Sequence, residues 1–93
     1  MLLEQNPEST FELFGKRVKV SSLCGADAIG KFYQLMESDM RSAYAYAFHK
    51  CLTYADSGKP VYATPEEALG APLREWSVVR DAWLSVNWPE KNG

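Results

Sequence analysis

Apolar and charged residues in this chain alternate first with a period of two and then with a period near that of a helix. Phe11-Glu12-Leu13 and Val18-Lys19-Val20 alternate around Gly15-Lys16, which predicts a short antiparallel hairpin over 11–20 with glycine at the turn. Two strands alone are marginal in water, so the hairpin must lie on helices or on a partner chain. Residues 1–10, with Asn6-Pro7 and a polar end, read as a loose leader. From Ser22 to Met36 the apolar positions Ala28, Ile29, Phe32, Tyr33, Leu35 and Met36 recur at helical spacing, with Gly25 and Gly30 weakening the first turns.

Ser38 is placed as the N-cap of a second helix running from Asp39 to Asp56. At about 100° per residue, Met40, Ala43, Tyr44, Ala47, Phe48, Cys51, Tyr54 and Ala55 share one face of it. Asp56-Ser57-Gly58 reads as its stop, with Gly58 in the left-handed conformation and Pro60 barring continuation. Thr64-Pro65-Glu66-Glu67 is a capping box with proline at the first helical position. After Gly70-Ala71 breaks that short helix, Pro72 can open a last one. Leu73, Trp76, Val79, Trp83 and Val86 follow one another there by three or four, up to Asn87-Trp88-Pro89. The expected fold is mainly α: one small domain over 11–88, of three to four helices with an N-terminal β-hairpin, and a polar tail over 89–93. Phe48, Leu73, Trp76 and Trp83 are assigned to its core.

Composition narrows the function classes. A chain of 93 residues buries only about 60–65% of its unfolded surface, which leaves little room for a deep active site. Ten Lys and Arg against twelve Asp and Glu give no basic excess for nucleic acid. The one basic cluster, Lys16-Arg17-Lys19, is preceded by Glu4, Glu8 and Glu12. No apolar run reaches the roughly 18–20 residues that span a bilayer, and Met1-Leu2-Leu3-Glu4 is too short and too soon acidic for a signal peptide. Two cysteines make no disulfide framework. The expectation is a soluble intracellular protein without membrane or nucleic-acid partners.

Candidate chemistry is sparse. His49 and Cys51 lie about 200° apart around a helix and cannot form a thiolate–imidazole dyad. Cys51 falls in the apolar stripe and reads as a core hydrophobe, His49 as a solvated side chain. Cys24, His49 and Cys51 lack zinc-ligand spacing. Ser57-Gly58-Lys59-Pro60 fails the phosphate-loop pattern, with Thr53 and Pro60 at positions that need Gly and Ser or Thr. A helix-turn-helix reader would need basic or amide side chains on an exposed face, and Arg74 and Arg80 are offset by Glu75 and Asp81. No catalytic residue, cofactor or metal is therefore expected. The aromatic load does stand out, with four Phe, five Tyr and three Trp. Tyr46, Tyr62 and Trp88 are the aromatics least easily buried, and they are the candidate protein-binding residues.

The order of these elements resembles the small tail assembly chaperones of long-tailed bacteriophages. The likeness runs over roughly residues 11–87. It rests on the hairpin, then Ala43-Tyr44, Phe48 and Cys51-Leu52, then Asp56-Ser57-Gly58-Lys59-Pro60-Val61-Tyr62, the capped Thr64-Pro65-Glu66-Glu67-Ala68-Leu69, and a last helix closing on Val86-Asn87. Trp76 and Trp83 are heavier than the aliphatic residues usual at such core positions. The resemblance implies a non-catalytic protein of the host cytoplasm, absent from the finished virion. It would keep the tape measure protein soluble while tail tube subunits polymerise. It also implies a longer frameshifted product that could reach the tail tube protein, and self-association is a further use of an exposed aromatic face. The alternative is a small interaction or adaptor domain, or a phage connector subunit, without chaperone activity.

Overall fold

The structure, a computed structural model, describes residues 8–88. Its elements in chain order are β1 (Glu8–Leu13), β2 (Lys16–Ser21), α1 (Ala26–Ser38), α2 (Met40–Cys51), β3 (Leu52–Tyr54), α3 (Pro65–Leu69) and α4 (Leu73–Asn87). Helices hold more than half of the described residues, so the mainly-α expectation stands in outline, but the sheet is larger than a hairpin. It has three antiparallel strands in the order β1-β2-β3.

The hairpin forms as its alternation predicts. Phe14 and Gly15 both take positive φ, 51° and 82°, the two-residue turn whose twist matches the strands. β1 begins inside the expected leader, at Glu8; residues 1–7 lie outside the described residues, as does the expected tail 89–93. Val18 and Val20 are buried while Arg17 and Lys19 are exposed, so one face of the sheet meets the helices and the other meets solvent.

The second helix is shorter than its pattern predicts. It stops at Cys51, and Leu52-Thr53-Tyr54 turns directly into β3, pairing with Val20, Lys19 and Val18. Leu52 fills the core face beside Val20, a place that a helical continuation would leave empty. Tyr54 and Ala55 accordingly leave the predicted stripe, and Ala45 is buried in addition to Ala43 and Ala47. Gly58, at φ 76°, closes a hairpin rather than a helix. Its N–H donates to the Tyr54 carbonyl (2.8 Å), and the Val61 N–H donates back to Leu52 (3.1 Å). Pro60 sits on this outer edge, where a missing N–H costs nothing.

Two helix starts, those of α2 and α3, carry side-chain caps, and the first is shifted by one residue from its expected place. Asp39, not Ser38, is the N-cap of α2: its carboxylate accepts from the Arg41 N–H (3.2 Å) and the Ser42 hydroxyl (2.8 Å). Ser38 is the last residue of α1, donating to the Leu35 carbonyl. That first helix itself starts at Ala26, after Gly25. In the predicted capping box, Thr64 Oγ1 accepts from the Glu67 N–H (3.2 Å) and Glu67 accepts from the Ala63 N–H (3.0 Å).

α4 packs across β1 and β2 and against α2. Its last residue clasps the β2–α1 connection. Asn87 Oδ1 accepts from the Leu23 N–H (2.7 Å), while Nδ2 donates to the carbonyls of Trp83 (3.0 Å) and Ser21 (3.4 Å). Asn87→Ala leaves a half-buried N–H without its partner and should cost about 1–2 kcal/mol. A shift in the urea midpoint at unchanged slope measures it, and an unshifted midpoint would show that the clasp carries no stability.

Candidate functional site

An aromatic concavity lies where α1, the end of α4 and the β2–α1 connection meet. Leu23, Ile29, Phe32, Tyr33, Trp83, Asn87 and Trp88 line a groove of about 170 Å³. Small-molecule pockets run to roughly 300–1,000 Å³; this one has the size for one or two apolar side chains. Its floor is rigid: Phe32 packs on Trp83 (ring centroids 5.5 Å), and Trp88 on both Trp83 (5.9 Å) and Phe32 (6.5 Å). Its rim is Ile29, 38% exposed, and Tyr33, 50% exposed.

The apolar positions of α1 are too many for one core. Phe32 points inward and is buried, whereas Ile29 and Tyr33, one turn apart, stay out. Asn87 holds this wall in place through its bond to Leu23, the residue that opens the groove.

The structure separates the three predicted aromatics. Trp88 is half-buried and forms part of the groove. Tyr46 is half-buried elsewhere on α2, with the ammonium groups of Lys31 and Lys50 at 6.0 and 5.9 Å from its ring centre. Tyr62 is the correction: it is only 5% exposed. Its connector folds under α2 and α4 rather than over solvent, because its hydroxyl donates to the Glu75 carboxylate and its carbonyl faces His49 Nδ1 at 2.9 Å. A carbonyl only accepts, so His49 carries its proton on Nδ1 and clamps the connector; it is half-buried, not a fully solvated side chain.

Leu73 is also corrected: at 86% exposure it is no core residue. It opens α4 one turn before the helix reaches its packing partners, and burial starts with Trp76, which packs on Phe48 at 5.1 Å. Phe48 and Trp83 are fully in the core.

Cys51 is buried beneath Trp83, whose indole N–H donates to its sulfur at 3.3 Å. Burial pushes the thiol up to about 11, against the opposing indole donation, so it is an unreactive thiol at neutral pH. Burial, then the Glu75 carboxylate, raises the Tyr62 hydroxyl above its ordinary range. Among the described residues no group of three His, Cys, Asp or Glu side chains converges as metal ligands would, and no helix is long and apolar enough to cross a membrane.

Sequence reasoning missed Leu23, Ile29, Tyr33 and Asn87 as groove residues. The signal available was the excess width of the α1 apolar stripe.

No protein-family model matches this chain, and no match was found among curated protein sequences or solved structures.

Proposed function

We propose that this protein is a phage tail assembly chaperone, which holds apolar helical segments of the tape measure protein in solution while the tail tube forms. The observation that carries the reading is the groove with its exposed Ile29–Tyr33 rim: apolar, side-chain sized, rigid-floored and open to solvent. Such a groove accepts the apolar anchors of an amphipathic helix at i, i+3, i+4 and i+7. The resemblance over residues 11–87 supplies the client. Many weak copies along one long client add by avidity rather than by the affinity of one groove. A frameshifted longer product would give the same domain a link to the tail tube protein.

Co-expression with the tape measure protein tests this. The chain is expected to raise the soluble fraction of the client and to co-purify with it. Ile29→Asp with Tyr33→Ser, both on exposed positions, should remove both effects while leaving thermal unfolding nearly unchanged. Client solubility that is the same with and without the chain, with no co-purification, sinks the reading and leaves an interaction domain of another kind.

A further inference from the structure

A second apolar surface lies at the opposite end of α4, away from the groove. Leu73 stands almost fully in solvent, and a hollow opens on either side of it. One, of about 240 Å³, is lined by Leu73, Trp76, Ser77 and Arg80. The other, of about 170 Å³, is lined by Arg41, Ala71, Leu73 and Trp76. Both share the Leu73–Trp76 pair, and each ends on an arginine. Burying a leucine is favourable, and the fold leaves that gain unrealised at Leu73.

The two arginines are positioned differently. Arg41 is held, with Nη2 donating to the Leu69 carbonyl (2.9 Å) and its guanidinium 5.9 Å from the Trp76 ring centre; most of its five N–H donors remain. Arg80 makes no hydrogen bond or ion pair among the described residues. The Asp39 carboxylate lies within electrostatic reach of Arg41, but its oxygens are engaged at the start of α2, and Asp81 projects about 100° further round α4 than Arg80. The patch is therefore apolar at its centre and cationic at both flanks, on a chain whose net charge is −2. From Leu73 to Arg80 the rise along the helix is about 10 Å.

We propose that the Leu73–Trp76 patch, bracketed by Arg41 and Arg80, is a docking surface for an amphipathic helix of another protein that carries an apolar anchor with a carboxylate about one turn to either side. The guanidinium forks bind carboxylates in a fixed geometry and so set the register of the partner, while Leu73 and Trp76 supply the buried area. The surface is separate from the groove at the other end of α4, and it stands whatever protein that groove holds.

The test uses the full chain and two labelled 18-residue helical peptides followed by fluorescence anisotropy. One has a Leu pair flanked by Glu at i−4 and i+4; the other has Lys at those two positions. The Glu peptide is expected to bind at least about tenfold tighter than the Lys peptide. Arg80→Glu should weaken the Glu peptide by about tenfold and strengthen the Lys peptide, and Leu73→Ser should weaken both. Both residues are exposed, so unfolding temperatures should hold, and Ile29→Asp with Tyr33→Ser should leave this binding unchanged. Equal binding of the two peptides, or binding insensitive to Arg80→Glu and Leu73→Ser, overturns the proposal. So does sedimentation showing that the chain pairs with itself through Leu73 while the Glu peptide stays free.

Discussion

Trp83→Ala should destabilise the fold by about 3–5 kcal/mol and lower the unfolding temperature by at least about 12 °C. The indole is 1% exposed and joins elements far apart in the chain. Its ring centre lies 5.5 Å from Phe32, 5.7 Å from Tyr44 and 6.5 Å from Phe48, and its N–H is satisfied by Cys51. Removing it opens a cavity that rings fixed by their own helices cannot collapse to fill. A domain of this size has only about 5–15 kcal/mol to lose. Trp83→Phe keeps most of the packed volume and should cost less than half as much. Calorimetry on the pair decides the matter: equal losses would mean that volume is not what the site needs.

Stability should also fall steeply on the alkaline side. The Cys51 thiol ionises near 9 when free and near 11 in the fold, so the folded state holds its proton more tightly. Below about pH 9 both states are protonated and the full stability is present. As pH rises toward 11 the unfolded chain gives up its proton first, and about 1.4 kcal/mol is lost per pH unit for this group. That amounts to about 3 kcal/mol by pH 11. Tyr62, also held neutral by burial and by Glu75, extends the loss to higher pH. Urea midpoints at about pH 8 and 10.5 measure the decline. Cys51→Ala should flatten its lower part and Tyr62→Phe its upper part. A wild-type midpoint that does not move between those values would contradict the burial of the thiol.

The parts legible in the sequence were those decided by neighbours in the chain. The hairpin, the Thr64–Glu67 cap and the end of α4 at Asn87 rest on alternation, turn and cap chemistry within a few residues. The stretch Leu52-Thr53-Tyr54 was misread because Phe48, Cys51 and Tyr54 satisfy a helical stripe. What makes it a strand is a free β2 edge more than thirty residues earlier, which no local window contains. Leu73 was misread for the converse reason: its spacing fits the stripe, but the helices that bury the stripe end before they reach it. Tyr62 sits in a connector with no periodicity, and its burial depends on Glu75 and His49 meeting it from two different helices. Of the predicted contact aromatics only Trp88 lines the groove. The exposed rim on α1 follows from which half of an over-wide apolar face the core has room for, a question of packing rather than of pattern.

The direct passage from α2 into β3 also sets the order of folding. β1 and β2 can pair within microseconds, about the time of any hairpin, but that pair is marginal until its inner face is covered. Its third strand is delivered only after two helices have formed and brought Leu52 back beside Val20. The β2–β3 pairing is thus a non-local closure, a slower kind of contact to form than a hairpin. At about 5–20 residues per second of synthesis, about two to six seconds separate the emergence of Val20 from that of its β3 partner Leu52. For that interval the nascent chain carries an open apolar strand edge. The charges of Arg17 and Lys19, exposed on the solvent side of β2, then guard it against pairing with the wrong chain.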